Sequence, residues 1–122
     1  MKKRILFVDD DPDILEIIEG LLRDERERWD MVFAPGALRG LEELAAGTFH
    51  VVVTDLQMPD IDGAALLEIV QRSYPSTRRV MLTSETRKVE LGRALRVAHQ
   101  IVTKPCTAAV LREAIARGLE DP

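Results

Sequence analysis

The chain is poor in several groups whose presence would point to common functions. It has a single cysteine, Cys106, in 122 residues. One thiol cannot build an internal disulfide framework, and such usage suits a reducing compartment. Aromatic residues make up 4% of the chain, too few for a base-stacking platform. Basic residues do not predominate: 17 Lys and Arg face 21 Asp and Glu, for a net charge of -4. A face that displaces counterions from a phosphate backbone needs the opposite balance. No apolar run approaches the roughly 20 residues that span a bilayer. Met1-Lys2-Lys3-Arg4 leads into only four apolar residues before three aspartates, which does not read as a secretory leader. The two histidines, His50 and His99, have no second histidine at ligand spacing and read as structural or surface residues. The expectation is a cytoplasmic chain with no membrane segment and no direct nucleic-acid contact.

What the chain does have is enough apolar material, 46%, to build one core, and enough charge, 31%, to solvate the outside. Its length fits one domain over residues 1–122. Four short β-branched runs stand out: Ile5-Leu6-Phe7-Val8, Val51-Val52-Val53-Thr54, Val80-Met81-Leu82-Thr83 and Ile101-Val102-Thr103. Met31-Val32-Phe33-Ala34 is a weaker fifth. Continuous runs without alternation suit strands buried on both faces of a parallel sheet.

Helical patterns lie between these runs. The first has Asp11 as cap, Pro12 in its first turn, and Ile14, Leu15, Ile17, Ile18, Leu21 and Leu22 behind. The second runs from about Ala37 to Ala46, with Leu38, Leu41 and Leu44 inward and Gly47 at its end. The third follows Gly63 with Leu66, Leu67 and Val70 and stops near Pro75, and the fourth spans Thr86 to Val97. The fifth follows Cys106 with Val110, Leu111, Ala114 and Ile115. Five alternations of strand and helix predict a doubly wound α/β fold, with one parallel sheet between two helical layers.

In such a sheet the carboxyl ends of all strands share one edge, and ligands bind there. Asp9, Asp10 and Asp11 follow the first strand, and Asp55 ends the third. Thr83 and Ser84 end the fourth, and Lys104-Pro105 follows the fifth. The second ends in Ala34-Pro35-Gly36, which brings no chemistry. Neighbouring strands lie roughly 4.8 Å apart, so Lys104, two strands from Asp55, would need its long stem to reach across about 10 Å. Clustered carboxylates repel unless a cation sits among them, and a small all-oxygen donor set suits Mg²⁺. A carboxylate is already ionised at neutral pH, so Asp55 needs no base to act as a nucleophile. Lys104 and the Thr83 hydroxyl could take the oxygens of an incoming phosphoryl group. The constellation suits phosphoryl transfer onto Asp55.

At ILFVDDDP, VVVTDLQMPDIDG, VMLTS and VTKPC the chain resembles the receiver domain of bacterial two-component response regulators. The resemblance implies a flavodoxin-like five-stranded parallel sheet of order 2-1-3-4-5. It implies that Asp55 accepts a phosphoryl group from the phosphohistidine of a sensor histidine kinase or phosphotransfer protein. Asp9, Asp10, Asp55 and the backbone carbonyl of Gln57 would hold Mg²⁺. Thr83 would be the switch hydroxyl, Lys104 the phosphate-pairing cation, and the Lys104–Pro105 bond cis. The partners implied are a kinase and an output domain or target protein, and a phosphorylation-dependent dimer is among the states the family allows. Such a domain is not an enzyme acting on a separate substrate; it assists only its own phosphorylation and dephosphorylation.

One departure concerns the position three residues before the lysine. The family often has Phe or Tyr there, and this chain has Ile101. The stretch VAHQIVTKPC is similar to receivers joined to HD-type output domains. Gln57 and Glu85 flank the acceptor site and are expected to tune hydrolysis. Ile14 and Ile17 are candidate kinase contacts, because the first helix has more apolar surface than one buried face needs. The fourth helix is polar, with Arg87, Lys88, Glu90, Arg93 and Arg96 and a central Gly92, and is a candidate moving element. The competing readings are a phosphorylation-independent binding module and an aspartate-based phosphatase. The second is opposed by Asp9-Asp10-Asp11-Pro12-Asp13, which lacks the Thr or Val that such enzymes carry in that motif.

Overall fold

The apolar runs become strands and the amphipathic segments become helices. The computed structural model describes residues 2–84 and 87–120. Its elements are β1 Lys3–Asp9, α1 Pro12–Leu21, β2 Trp29–Pro35, α2 Ala37–Ala46, β3 Val51–Asp55, α3 Gly63–Ser73, β4 Arg78–Thr83, α4 Lys88–Val97, β5 Gln100–Thr103 and α5 Ala108–Glu120. A short 3-10 turn at Arg23–Glu25, which no apolar pattern announces, leads from α1 toward β2. All strand pairs are parallel and the order is β2-β1-β3-β4-β5, as the resemblance implied.

Successive side chains of a strand point to opposite faces, so each strand feeds two cores. Leu6 and Val8 of β1, Val52 of β3 and Met81 of β4 pack with Leu44, Leu66, Leu67 and Val70 on the side of α2, α3 and α4. Ile5, Phe7, Val51, Val53, Val80 and Leu82 pack with Leu15, Ile18, Leu111 and Ile115 on the side of α1 and α5. Each fully buried Leu, Ile or Phe contributes about 1.5–3 kcal/mol of transfer free energy. Cover on both faces is why the strand sequences are continuous rather than alternating.

Helix α1 starts as expected. Asp11 caps it, its side chain accepting from the Asp13 amide at 2.9 Å, and Pro12 occupies the first turn. Three details differ from the apolar pattern. Leu38 does not point inward; it is 60% exposed. The packed stripe of α2 is Ala37, Gly40, Leu41 and Leu44, at the i, i+3, i+4, i+7 spacing, and Leu38 lies off it. Val110 is likewise 48% exposed, while Leu111, Ala114 and Ile115 carry the buried face of α5. Helix α4 begins at Lys88, and Thr86 lies outside the described residues.

Both histidines are structural, by one shared device. The His50 amide donates to the Arg4 carbonyl at 2.9 Å, and His50 Nδ1 accepts from the Arg4 amide at 3.0 Å. The His99 amide donates to the Arg79 carbonyl at 2.8 Å, and His99 Nδ1 accepts from the Arg79 amide at 3.0 Å. In each case the ring stands in for a carbonyl and extends the sheet by one pair of bonds. Burial, with the Lys3 charge nearby, holds the His50 pKa below its ordinary value. The unfolded chain therefore takes up the proton first on acidification, and stability present above the unfolded pKa is lost as pH falls through it. The urea midpoint should decline from about pH 7 to about pH 5, and His50→Gln, which keeps an acceptor but does not titrate, should show a smaller decline. Identical pH profiles for the two proteins would contradict this.

Candidate functional site

The register of the sheet assembles the polar residues without any further device. Val8 pairs with Thr54, so the next residues on the two strands, Asp9 and Asp55, stand side by side. Asp55 in turn pairs with Leu82, and Thr83 follows it on β4. Thr83 pairs with Thr103, and the Lys104 amide continues the ladder by donating to the Thr83 carbonyl at 2.9 Å. Four strand ends thus deliver Asp9, Asp55, Thr83 and Lys104 to one edge, with Asp10 just beyond β1.

The side chains converge. Carboxylate oxygens of Asp9, Asp10 and Asp55 lie within 4.8 Å of one another. Lys104 Nζ is 3.3 Å from Asp55 Oδ1 and 3.7 Å from Asp9 Oδ2. The long lysine stem therefore makes the two-strand crossing. Asp9 and Thr83 are almost fully buried, Asp55 is half-buried and Asp10 is exposed. The Lys104–Pro105 bond is cis, as the resemblance implied.

The loop after Asp55 has its own constraints. The Gly63 amide donates to the Leu56 carbonyl at 2.8 Å and closes the loop. A Cβ on residue 63 would lie 2.0 Å from the Asp55 carbonyl oxygen, so glycine is required there by space. Asp60 has φ of 66°, a left-handed conformation that aspartate tolerates better than most residues. Asp62 then caps α3, its carboxylate accepting from the Ala65 amide at 2.8 Å.

Burial is the main reason that the Asp9 carboxyl is pushed above its ordinary value. The Asp11 amide, which donates to Asp9 Oδ1 at 2.9 Å, and the Lys104 charge pull it back, while the Asp55 and Asp10 carboxylates push it further up. Three crowded carboxylates, one of them buried and short of positive charge, form an oxygen-only donor set that fits a hard divalent cation. Gln57, two residues after Asp55, is exposed at the start of the loop. Glu85 lies outside the described residues.

One contact near the site was not legible in the sequence. Arg93 of α4 forms a two-pronged ion pair with the α3 cap, Nη1 to Asp62 Oδ2 at 2.7 Å and Nη2 to Asp62 Oδ1 at 3.2 Å. The two residues are 31 apart in the chain, and Arg93 lies among other charged residues that read as a solvated face.

An open doubly wound sheet with an acidic cluster, a hydroxyl and a lysine at its carboxyl edge is a fold that holds small anionic or metal ligands at that edge. The family description "Response regulator receiver domain" matches residues 5–116. The chain is 33% identical over 119 residues to the response regulator protein PilR of Pseudomonas aeruginosa, an overlap of 97% of this chain and 26% of PilR. Among solved structures, a response regulator receiver domain protein from Methanospirillum hungatei JF-1 matches with TM-score 0.90 at 30% identity, over 98% of this chain and 95% of that one. The receiver domain of an HD domain-containing protein from Pseudomonas fluorescens Pf-5 matches with TM-score 0.92 at 28% identity, over 98% and 96%. The chain belongs to the receiver domains of two-component response regulators. It spans about a quarter of the length of PilR and similar regulators that it matches.

The raised Asp9 carboxyl has a consequence for stability. A folded-state pKa above the unfolded one means that ionised Asp9 lowers stability, increasingly as pH rises through the folded pKa. At pH 7 Asp9→Asn is expected to stabilise the fold by about 1 kcal/mol, since Asn keeps an oxygen for the Asp11 amide. Added Mg²⁺ should stabilise the wild type and leave the variant nearly unchanged. Thermal unfolding with and without Mg²⁺ reads both effects, and a destabilised variant that still responds to Mg²⁺ would refute the assignment.

Proposed function

We propose that Asp55 accepts a phosphoryl group from the phosphohistidine of a sensor histidine kinase or phosphotransfer protein, in a Mg²⁺-dependent reaction. The observation that carries this reading is the direct contact of Lys104 with Asp55 inside a cluster of two further carboxylates. In the reaction a carboxylate oxygen of Asp55 bonds to phosphorus while the bond from phosphorus to the donor imidazole breaks. The imidazole leaves as the neutral ring after taking a proton. Asp9, Asp10, Asp55 and the backbone carbonyl of Gln57 are the residues that would hold Mg²⁺. When bound, the ion offsets the negative charge of the carboxylates and of the phosphoryl oxygens. Lys104 moves its ion pair from the carboxylates to a phosphoryl oxygen, and the Thr83 hydroxyl donates to another.

The product stays on the chain, so the domain acts as a switch rather than as an enzyme with turnover. Receiver domains work with histidine kinases or phosphotransfer proteins and with output domains. Among the described residues no helix is long and apolar enough to cross a membrane. We place the domain in the cytoplasm, in contact with protein partners and not with nucleic acid. An HD-type output is supported by VAHQIVTKPC and by the likeness to the receiver of the HD domain-containing protein from Pseudomonas fluorescens Pf-5.

Two surfaces support signalling roles. On α1, Ile17 is 57% exposed while Ile14 is half-buried, so Ile17 is the better candidate for kinase docking. The output surface is assigned to α4, β5 and α5. There Val89, Leu95 and Val110 are exposed, and a groove of about 460 Å³ runs along Ile101, Thr103, Pro105, Val110, Glu113 and Arg117. It is also where a phosphorylation-dependent dimer would form. Ile101 packs with the aliphatic core on the α4 side, so the state of Thr83 is read there by packing rather than by an aromatic rotamer.

Incubation with acetyl phosphate and Mg²⁺ should add one phosphoryl group to the intact mass, and Asp55→Asn should add none. A wild type that gains no mass would leave the phosphorylation-independent module as the better reading. Ile17→Ala should slow phosphotransfer from the kinase severalfold while stability changes by less than about 1 kcal/mol, the usual limit for a half-exposed aliphatic side chain. Equal transfer rates would remove α1 as the docking surface.

A further inference from the structure

Helix α4 is held by few apolar contacts. Its only buried residues are Ala94 and Val97, and Val89 and Leu95 are exposed. Arg87 at its N-cap makes no side-chain capping bond, and Gly92 interrupts its middle. Gly in a helix interior is unfavourable relative to Ala. The end of the helix is tied to β4, where Arg79 Nε donates to the Val97 carbonyl at 2.6 Å, and its middle has a charged attachment. Arg93 grips both oxygens of Asp62 and lies 3.4 Å from Glu90 Oε2, so the ion pair joins α4 to the loop that begins at Asp55. Burial would raise the Asp62 carboxyl, yet the Arg93 bonds and the Ala65 amide more than offset it and hold it below its ordinary value. Asp62 is therefore committed to two partners at once: it caps α3 and it anchors α4.

The contact stands in the same arrangement in which Lys104 pairs with Asp55 and Asp9. The side chain at Ile101 packs as an ordinary core aliphatic and offers no rotating aromatic ring to connect the site with α4. We propose that the Arg93–Asp62 ion pair is a latch that holds α4 in its resting position and opposes phosphorylation of Asp55, opening when the loop after Asp55 rearranges around the phosphoryl group. The proposal rests on Asp55 being the acceptor. By reciprocity, whatever phosphorylation must break in the latch, breaking the latch returns as affinity for the phosphorylated arrangement.

The test uses Arg93→Gln, Asp62→Asn and the double variant. Asn retains the cap of α3 and Gln retains helix propensity, so all three are expected to fold. Beryllofluoride with Mg²⁺ serves as the probe, since it binds a carboxylate in place of a phosphoryl group. Each single variant should bind it about three- to fivefold more tightly than the wild type, the range for a part-exposed ion pair. The double variant should gain no more than either single one, because both remove the same contact. Without the probe, the α4 amide resonances of the variants should move along the direction taken by the wild type on adding beryllofluoride. A wild type that binds the probe, with variants of equal affinity, unmoved α4 amides or additive single effects, overturns the latch alone. A wild type that binds no beryllofluoride overturns the acceptor reading and the latch with it.

Discussion

Three carboxylates within 4.8 Å of one another are the constraint on which the rest of this structure turns. Such a cluster is unfavourable until positive charge reaches it. Here the charge comes from Lys104, carried in from two strands away and set on Asp55 and Asp9. A cation bound among the carboxylates would do the same work and would free the lysine for an incoming anion. The site is thus poised between two charge arrangements. Asp9 shows it most clearly: burial and its neighbours disfavour its ionised form, which is the form that a metal needs.

The sheet makes that crowding affordable. Each inner strand is covered on both faces, and its register is fixed by side chains that alternate between two cores. A slip of one residue would exchange those cores, so the polar strand ends are held in place by apolar packing well below them. Helix α4 is the exception. It sits next to the strand that carries Thr83, buries only Ala94 and Val97, and is tied to the loop after Asp55 by charge. Rigid strands that place the chemistry and a lightly held helix beside them are what a switch requires. A phosphoryl group added at Asp55 would redistribute charge at the strand ends, and an element held by charge is one that could respond.

Much of this was legible in the sequence because it depends on local pattern. The apolar runs located all five strands, and the residues at or just after the ends of four of them located Asp9, Asp55, Thr83 and Lys104. Helix faces were less legible. Leu38 and Val110 are apolar residues on helices, and composition alone could not show that they sit off the packed stripe of Ala37, Gly40, Leu41 and Leu44 or of Leu111, Ala114 and Ile115. The strand order was available only through the resemblance to receiver domains. The Arg93–Asp62 pair was illegible for a different reason. It joins residues distant in the chain, and nothing in a run of charged helix residues marks which one will find a half-buried partner.

The central claim is that phosphoryl chemistry at this edge occurs on Asp55 and on no neighbouring carboxylate. The most direct measurement is to phosphorylate the wild type with acetyl phosphate and Mg²⁺, reduce the acyl phosphate with borohydride, and sequence the peptides by mass spectrometry. The charge arrangement described above predicts that residue 55 alone is converted to homoserine. Conversion at Asp9 or Asp10, or none at any of the three, would contradict it.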